Sequence, residues 1–369
     1  MLYFDNNATT PLLPEVKEAI TEMLDIYGNA SSVHQIGQAA RSRMDISRRQ
    51  VADLLGVRSE QVVFTGGGTE ANNTVLKSAA AEGRSIITQK TEHSCVMNAG
   101  KSIAKSNHPV VFLDVDKNGV IDLSELESVL KMHKGALVSL MHANNETGVM
   151  QPLKEAYALC QEHGALLHSD AIQTGGKIPL GLDMADVVTL SFHKLGAPKG
   201  VGALIFKPGV EIEPLLHGGR QERGYRSGTE NTMGIVAAGV ACSKAKDYFD
   251  HYQELGKAKL KFEEKMKALS PKVKIMGEGA KRLPVTSSIA LEGMSAEMVV
   301  MLMDMQGVCI SQGSACASGR VDPSHVVEAM GYPDLALSTL RVASGWHTAL
   351  SDYDTLYETF ESVLKNTNF

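Results

Sequence analysis

The chain has 369 residues, 43% of them hydrophobic and 21% charged, enough for two globular units with sizeable cores. A formal net charge of −6, with acids and bases interspersed, argues against general affinity for nucleic acid or a membrane surface. Five scattered cysteines without a Cys-x-x-Cys pair, and twelve histidines without a His-Glu-x-x-His pattern, exclude a disulfide framework and a metal centre. No apolar run reaches membrane-spanning length and no basic segment precedes an apolar one at Met1, so the cytoplasm is the expected compartment.

In chain order, helices are predicted over 14–27 and 33–55. From about residue 60 to 206, short apolar runs alternate with helix-like segments, the signature of a mostly parallel sheet covered by helices. The strands are expected at 61–65, 85–89, 109–114, 136–142, 165–169, 186–191 and 202–206, and the helices at 69–82, 94–106, 122–133 and 151–163, several opening on Ser, Thr, Asp or Pro. After the turn at 216–221 a helical pattern runs from about Thr232 to Leu269. Strands at 273–277, 285–291 and 308–311 and helices at 295–306, 322–330 and 351–366 then suggest a smaller α/β unit. The expected division is a large domain over 15–255 and a small one over 256–369 with 1–14.

Residues 114–125, Asp-Val-Asp-Lys-Asn-Gly-Val-Ile-Asp-Leu-Ser-Glu, fit the twelve-residue calcium loop of an EF-hand as a pattern. The preceding Pro109-Val110-Val111-Phe112-Leu113 is β-like, whereas an EF-hand needs an entering helix. A strand, an Asp/Asn/Gly turn and a helix begun by Asp122 or Ser124 is therefore the favoured reading.

Chemistry gathers where strands end. Ser191-Phe192-His193-Lys194 closes an apolar run before the turn Leu195-Gly196-Ala197-Pro198, and a lysine held and partly desolvated there can form an imine. Ala165-Leu166-Leu167-His168-Ser169-Asp170 ends in a carboxylate at a neighbouring strand. In an open α/β sheet both would face one ligand. Pyridoxal phosphate (PLP) needs this pair, a lysine for the Schiff base and an acid to keep the pyridine nitrogen protonated. Its phosphate needs backbone N–H groups, which Val62-Val63-Phe64-Thr65 followed by Gly66-Gly67-Gly68-Thr69 supplies, with Thr69 expected to cap the helix. His93, at a strand-to-helix junction, could stack on a cofactor ring and shuttle protons, with helix capping as the alternative. Asn145 follows another apolar run.

Cys309 sits in an apolar run and is read as inert. Cys316 is set among Gly, Ser and Ala, a composition that predicts an accessible loop where a thiolate can attack. Arg341 ends an apolar stretch and suits a substrate α-carboxylate, or else a structural ion pair.

Together these residues resemble the cysteine desulfurases of the NifS/IscS type, within the class V aminotransferase family of PLP enzymes (fold type I). The match runs from Asp5-Asn6-Asn7-Ala8-Thr9-Thr10-Pro11 to Arg341, and includes Asn29-Ala30-Ser31-Ser32-Val33-His34, Gly68-Thr69-Glu70-Ala71-Asn72-Asn73, Thr91-Glu92-His93, His142-Ala143-Asn144-Asn145-Glu146-Thr147-Gly148, Asp170-Ala171-Ile172-Gln173 and Arg226-Ser227-Gly228-Thr229. The resemblance implies an α/β fold with a seven-stranded sheet and a smaller C-terminal α/β domain. It implies PLP bound covalently by Lys194, with Asp170 on the pyridinium nitrogen, Gln173 on the phenolic oxygen and His93 stacked on the ring. Gly68, Thr69, Ser191 and His193 would hold the phosphate, joined by Thr229 from the second subunit of a homodimer. Asn145 and Arg341 would face cofactor and substrate carboxylate.

The implied reaction removes sulfur from L-cysteine, giving L-alanine and a persulfide on Cys316. Lys194 would act as base and His93 as acid/base, and the sulfur would pass to an acceptor protein such as an iron–sulfur scaffold or a tRNA-thiolation enzyme. Selenocysteine lyase uses the same constellation and is the alternative, with a low-turnover partner-binding scaffold as another. Four positions depart from the family's usual residues: Phe192, expected to tighten the phosphate side of the pocket, Gln312, Ala343 and Trp346.

Overall fold

A computed structural model describes residues 1–313, 322–367 and 369. The strands are β1 (Leu2–Tyr3), β2 (Val62–Thr65), β3 (Ile86–Gln89), β4 (Val110–Leu113), β5 (Leu137–Met141), β6 (Leu166–Asp170), β7 (Val187–Ser191), β8 (Gly202–Phe206), β9 (Val273–Ile275), β10 (Thr286–Leu291), β11 (Val308–Cys309), β12 (Ser311–Gln312) and β13 (Thr339–Ala343). The helices are α1 (Pro14–Met23), α2 (Gln35–Leu55), α3 (Gly68–Ala81), α4 (Ser94–Ala104), α5 (Leu123–Met132), α6 (Leu153–Glu162), α7 (Thr232–Ala245), α8 (Phe249–Leu269), α9 (Ala296–Met305), α10 (His325–Ala329) and α11 (Asp352–Asn366).

A seven-stranded sheet runs in the order β2-β8-β7-β6-β5-β3-β4. Its pairings are parallel except those of β8, which is antiparallel to both neighbours. Strands β5, β7 and β8 are buried along their whole length, as their continuous apolar character demands of a sheet covered on both faces. Because β2, β3, β5, β6 and β7 all run the same way, their carboxyl ends meet along one edge of the sheet.

A second, four-stranded antiparallel sheet has the order β12-β13-β10-β9. Its apolar side chains join α8, α9 and α11 in a separate cluster that includes Phe262, Ile289, Val299, Leu340 and Phe360, and that draws in Phe4 from the chain start. The run expected as one strand at 308–311 divides between sheets: β11 pairs with β1, while β12 pairs with β13. The expected helix from Thr232 to Leu269 is two helices with a 3-10 turn at Lys246–Tyr248 between them.

The calcium-like segment is strand, turn and helix. Asp114 pairs with Lys90 at 2.5 Å, the Asp116 carboxylate accepts the N–H groups of Asn118 and Val120 at 2.9 Å, and Asp122 caps α5 through the N–H of Ser124. The carboxylates of Asp114, Asp116 and Asp122 serve the segment's own backbone, the Ser124 hydroxyl and one lysine.

Candidate active site

Each carboxyl end at the sheet edge delivers one or two polar groups. Strand β6 ends in Asp170, β7 ends in Ser191, and a 3-10 turn at Phe192–Lys194 follows. The loop after β5 carries Asn145, and the loop after β3 carries His93, whose side chain caps α4 by accepting the N–H of Cys95 at 3.2 Å. After β2 the chain turns through Gly67, at φ +146°, into α3. The cap of α3 is Gly67, with no side-chain hydrogen bond, so Thr69 does not cap the helix and instead faces the cavity. A Cβ at Gly68 would stand 2.1 Å from Ile172 Cδ1, so a larger residue there requires the Ile172 side chain to turn away.

These groups enclose a cavity of about 330 Å³, lined by Gly68, Thr69, His93, Asn145, Asp170, Gln173, Ser191, His193, Lys194 and Arg341. All were expected from sequence. Thr229 is exposed and does not line it, and Cys316 lies outside the described residues.

Lys194 Nζ donates to the carbonyls of Asn7 and Ala8, the latter at 2.6 Å. Burial first, then the nearby Arg341 charge, bring its pKa down to about 7, with Asp5 and Asp170 opposing. Part of the population therefore carries a free lone pair at neutral pH. Asp170 is 5% exposed and its carboxyl is pushed above the usual range by burial, against the pull of the Ile172 N–H. Its partners are the Ile172 N–H at 3.0 Å and Asn72 Nδ2 at 2.7 Å, and no ion pair satisfies it among the described residues. Burial lowers the pKa of His93 below that of a free imidazole, and burial with Lys194 brings that of His193 to about 4. Both rings are neutral at physiological pH.

Arg341, at the centre of β13, is 2% exposed. One arm reaches Asp5 Oδ1 at 2.7 Å and another the Asn145 carbonyl at 3.3 Å, while its buried Nε has no partner. The structural and substrate readings thus coexist, for the Asp5 pair holds the guanidinium while leaving a donor over.

Sequence reasoning missed the pocket roles of Asn7, Ala8 and Cys95. Asn7 Nδ2 donates to the Asn145 carbonyl and Thr286 Oγ1, both at 3.0 Å, so the chain start is stitched into the site. A buried Asn-Asn pair beside a short strand was the available signal. Cys95 Sγ stands 3.0 Å from His93 Nδ1 and accepts from Asn72 at 3.3 Å; burial pushes its thiol up to about 12, so it is a poor nucleophile.

The unusual residues are structural. Phe192 is fully buried in the core of the large sheet, its ring centroid 6.4 Å from that of Phe64, and does not line the cavity, which corrects the expectation that it tightens the phosphate side. Trp346 donates to the Pro11 carbonyl at 3.0 Å, Ala343 accepts the N–H and side-chain amide of Asn6, and Gln312 pairs with Leu340.

The donor set fits PLP. A buried carboxyl without a counter-ion suits a ring N–H⁺, a lysine with a depressed pKa suits imine formation, and the glycine turn into α3 offers N–H groups to a phosphate. The class-V aminotransferase model matches residues 2–356. The chain belongs to this family, on its cysteine desulfurase branch. Cysteine desulfurase 2 of Trichormus variabilis is 39% identical over 99% of this chain and 93% of its own length. A solved NifS-like protein from Rickettsia africae is 32% identical with a TM-score of 0.91, each chain covered to 99%. A structure of SspA in complex with cysteine is 30% identical with a TM-score of 0.82, covering 95% of this chain and 100% of the other. Family membership explains why the sheet edge carries an acid and a lysine on adjacent strands: the fold is that of PLP enzymes of fold type I. No helix among the described residues is long and apolar enough to cross a membrane.

Proposed function

We propose that this member of the family removes sulfur from L-cysteine, releases L-alanine and carries the sulfur as a persulfide on Cys316. The observation behind it is the meeting of Lys194, Asp170 and the buried Arg341 in one cavity.

PLP, when bound, withdraws electrons from the substrate's Cα so that a proton can leave it. Lys194 would hold the group through Nζ and Asp170 would receive its ring nitrogen. Gln173, His193, Ser191, Thr69 and the Gly68 backbone would hold its oxygens, with His93 against its ring. Arg341 orients the substrate through its carboxylate, since a guanidinium fixed by Asp5 loses little freedom on pairing. Lys194, with a pKa near 7, takes and returns a proton at Nζ. The neutral His93 imidazole is able to exchange a proton with the substrate thiol. The Cys316 thiolate then attacks the substrate sulfur, the electron pair of the broken C–S bond stays with carbon, and a proton there completes alanine. Reduction or transfer of the persulfide to an acceptor protein restores the thiol.

The exposed position of Thr229 fits a role in the partner's site of a homodimer, and the two sheets with separate cores fit a division into a large and a small domain. Loading the protein with PLP, adding L-cysteine and reductant, and measuring alanine and sulfide tests the reading. Wild type is expected to form both in equal amounts and Cys316→Ala neither; undiminished sulfide from Cys316→Ala sinks the persulfide route.

A further inference from the structure

Behind the cavity lies a second buried amine that the mechanism above does not use. Lys177 is 2% exposed, and its Nζ donates to Gln173 Oε1 at 3.2 Å and to Asn7 Oδ1 at 3.4 Å. No carboxylate pairs with it among the described residues. Burial, then the charges of Lys194 and Arg341, bring its pKa down to about 7. A buried lysine without a counter-ion is costly, so its retention calls for a task.

The hydrogen-bond inventory identifies the task. A primary carboxamide can face a neighbour with its oxygen or its NH2, and the partners decide which. Gln173 Nε2 donates to the Asn7 carbonyl at 3.1 Å, a group that can only accept. Lys177 meets the other end of the same amide with donors. Both contacts demand one orientation, Oε1 toward Lys177 and NH2 toward Asn7 and the cavity that Gln173 lines. The Asn7 amide is governed likewise, its Nδ2 donating to the Asn145 carbonyl and its Oδ1 receiving Lys177. An amine keeps two N–H donors after losing its proton, so the arrangement survives deprotonation of Lys177.

An amide NH2 has two donors, and the Asn7 carbonyl takes one. We propose that Lys177 is a positioning residue that locks the Gln173 amide so that its second N–H faces the cavity, ready to donate to an anionic oxygen of the cofactor. This rests on the cofactor reading above. Without Lys177 the Asn7 carbonyl alone sets the amide, which then turns its carbonyl toward that anion more readily and replaces an attraction by a repulsion.

The test is a double-mutant cycle on cofactor affinity, read as the Kd for PLP titrated into unloaded protein. Lys177→Met and Gln173→Met are each expected to weaken binding about tenfold, the worth of one charge-assisted hydrogen bond. Because one acts through the other, the double variant is expected to stay within about twofold of Gln173→Met. Lys177→Gln, which keeps an amide donor, is expected within about threefold of wild type and serves if Lys177→Met does not fold. An unchanged Kd in Lys177→Met, a multiplicative loss of about 100-fold in the double variant, or Lys177→Gln binding as weakly as Lys177→Met overturns the proposal. Wild-type protein that takes up no PLP overturns the cofactor reading and this proposal with it, whereas a wild type that loads normally confines any failure to Lys177.

Discussion

The cavity has two unlike walls. One is the edge of the large sheet, where Asp170, Ser191 and the Lys194 turn stand at the ends of paired strands whose register is set along their whole length. The other is Arg341, held by Asp5 from 336 residues away and by the loop at Asn145. The first wall places rigid groups through local continuity of the sheet; the second exists only when the chain start meets the small sheet. The proposed function divides along the same line, with covalent chemistry assigned to the rigid wall and substrate orientation to the assembled one.

The rigid wall depends most on Lys194. Lys194→Ala is expected to lower alanine formation by at least about 10⁴-fold, some 5–6 kcal/mol of transition-state stabilisation, and to abolish covalent cofactor attachment. Mass spectrometry after borohydride reduction checks the attachment, and a retained adduct would move the anchor elsewhere.

The rigid wall also carries a stability cost that pH reveals. Glu92 is fully buried, with its pKa raised to about 8 by burial and then by Asp170. An unfolded glutamate titrates near 4.5. Between these values the unfolded chain has released a proton that the folded chain keeps, so stability falls as pH rises from about 4.5 to 8. Glu92→Gln removes that slope and is expected to stabilise the unloaded protein at pH 8 by on the order of 3–5 kcal/mol relative to wild type, with little difference at pH 4. Denaturant melts at the two pH values decide; equal differences at both would show Glu92 to be ionised in the fold.

On the assembled wall, Arg341→Gln is expected to reduce kcat/KM about 100-fold, mostly through KM, as loss of a charge-assisted carboxylate contact does. A pure kcat effect would place Arg341 in the chemical step. Asp5→Asn loosens the same guanidinium without removing it and is expected to cost about tenfold in kcat/KM. If Asp5→Asn matched Arg341→Gln, the ion pair rather than the free Nε donor would be what matters.

The seven strands of the large sheet were legible because each is a short apolar run between turns, and such runs need no partner information to be recognised. The site residues on them followed, since a polar group at the end of such a run has few other places to be. Strand β13 was not read as a strand: Thr339-Leu340-Arg341-Val342-Ala343 puts a buried arginine at its centre, which makes sense only once Asp5 is beside it. Likewise β11 and β12 read as one strand because nothing in Val308-Cys309-Ile310-Ser311-Gln312 says that two sheets share it. Phe192 looked like a pocket residue because it precedes His193, and alternation at the strand end turned its ring into the core instead.

Sequence by itself determined the α/β class, the carboxyl-edge cluster and the family, because strand periodicity, glycine turns and motif spacing are local properties of a chain. Only the tertiary structure decided that Asp5 holds Arg341, that Asn7 ties the chain start to the sheet edge and that Lys177 sets the Gln173 amide. Those contacts join groups whose sequence separation is arbitrary, and hydrogen-bond direction is settled only where donors and acceptors meet in space.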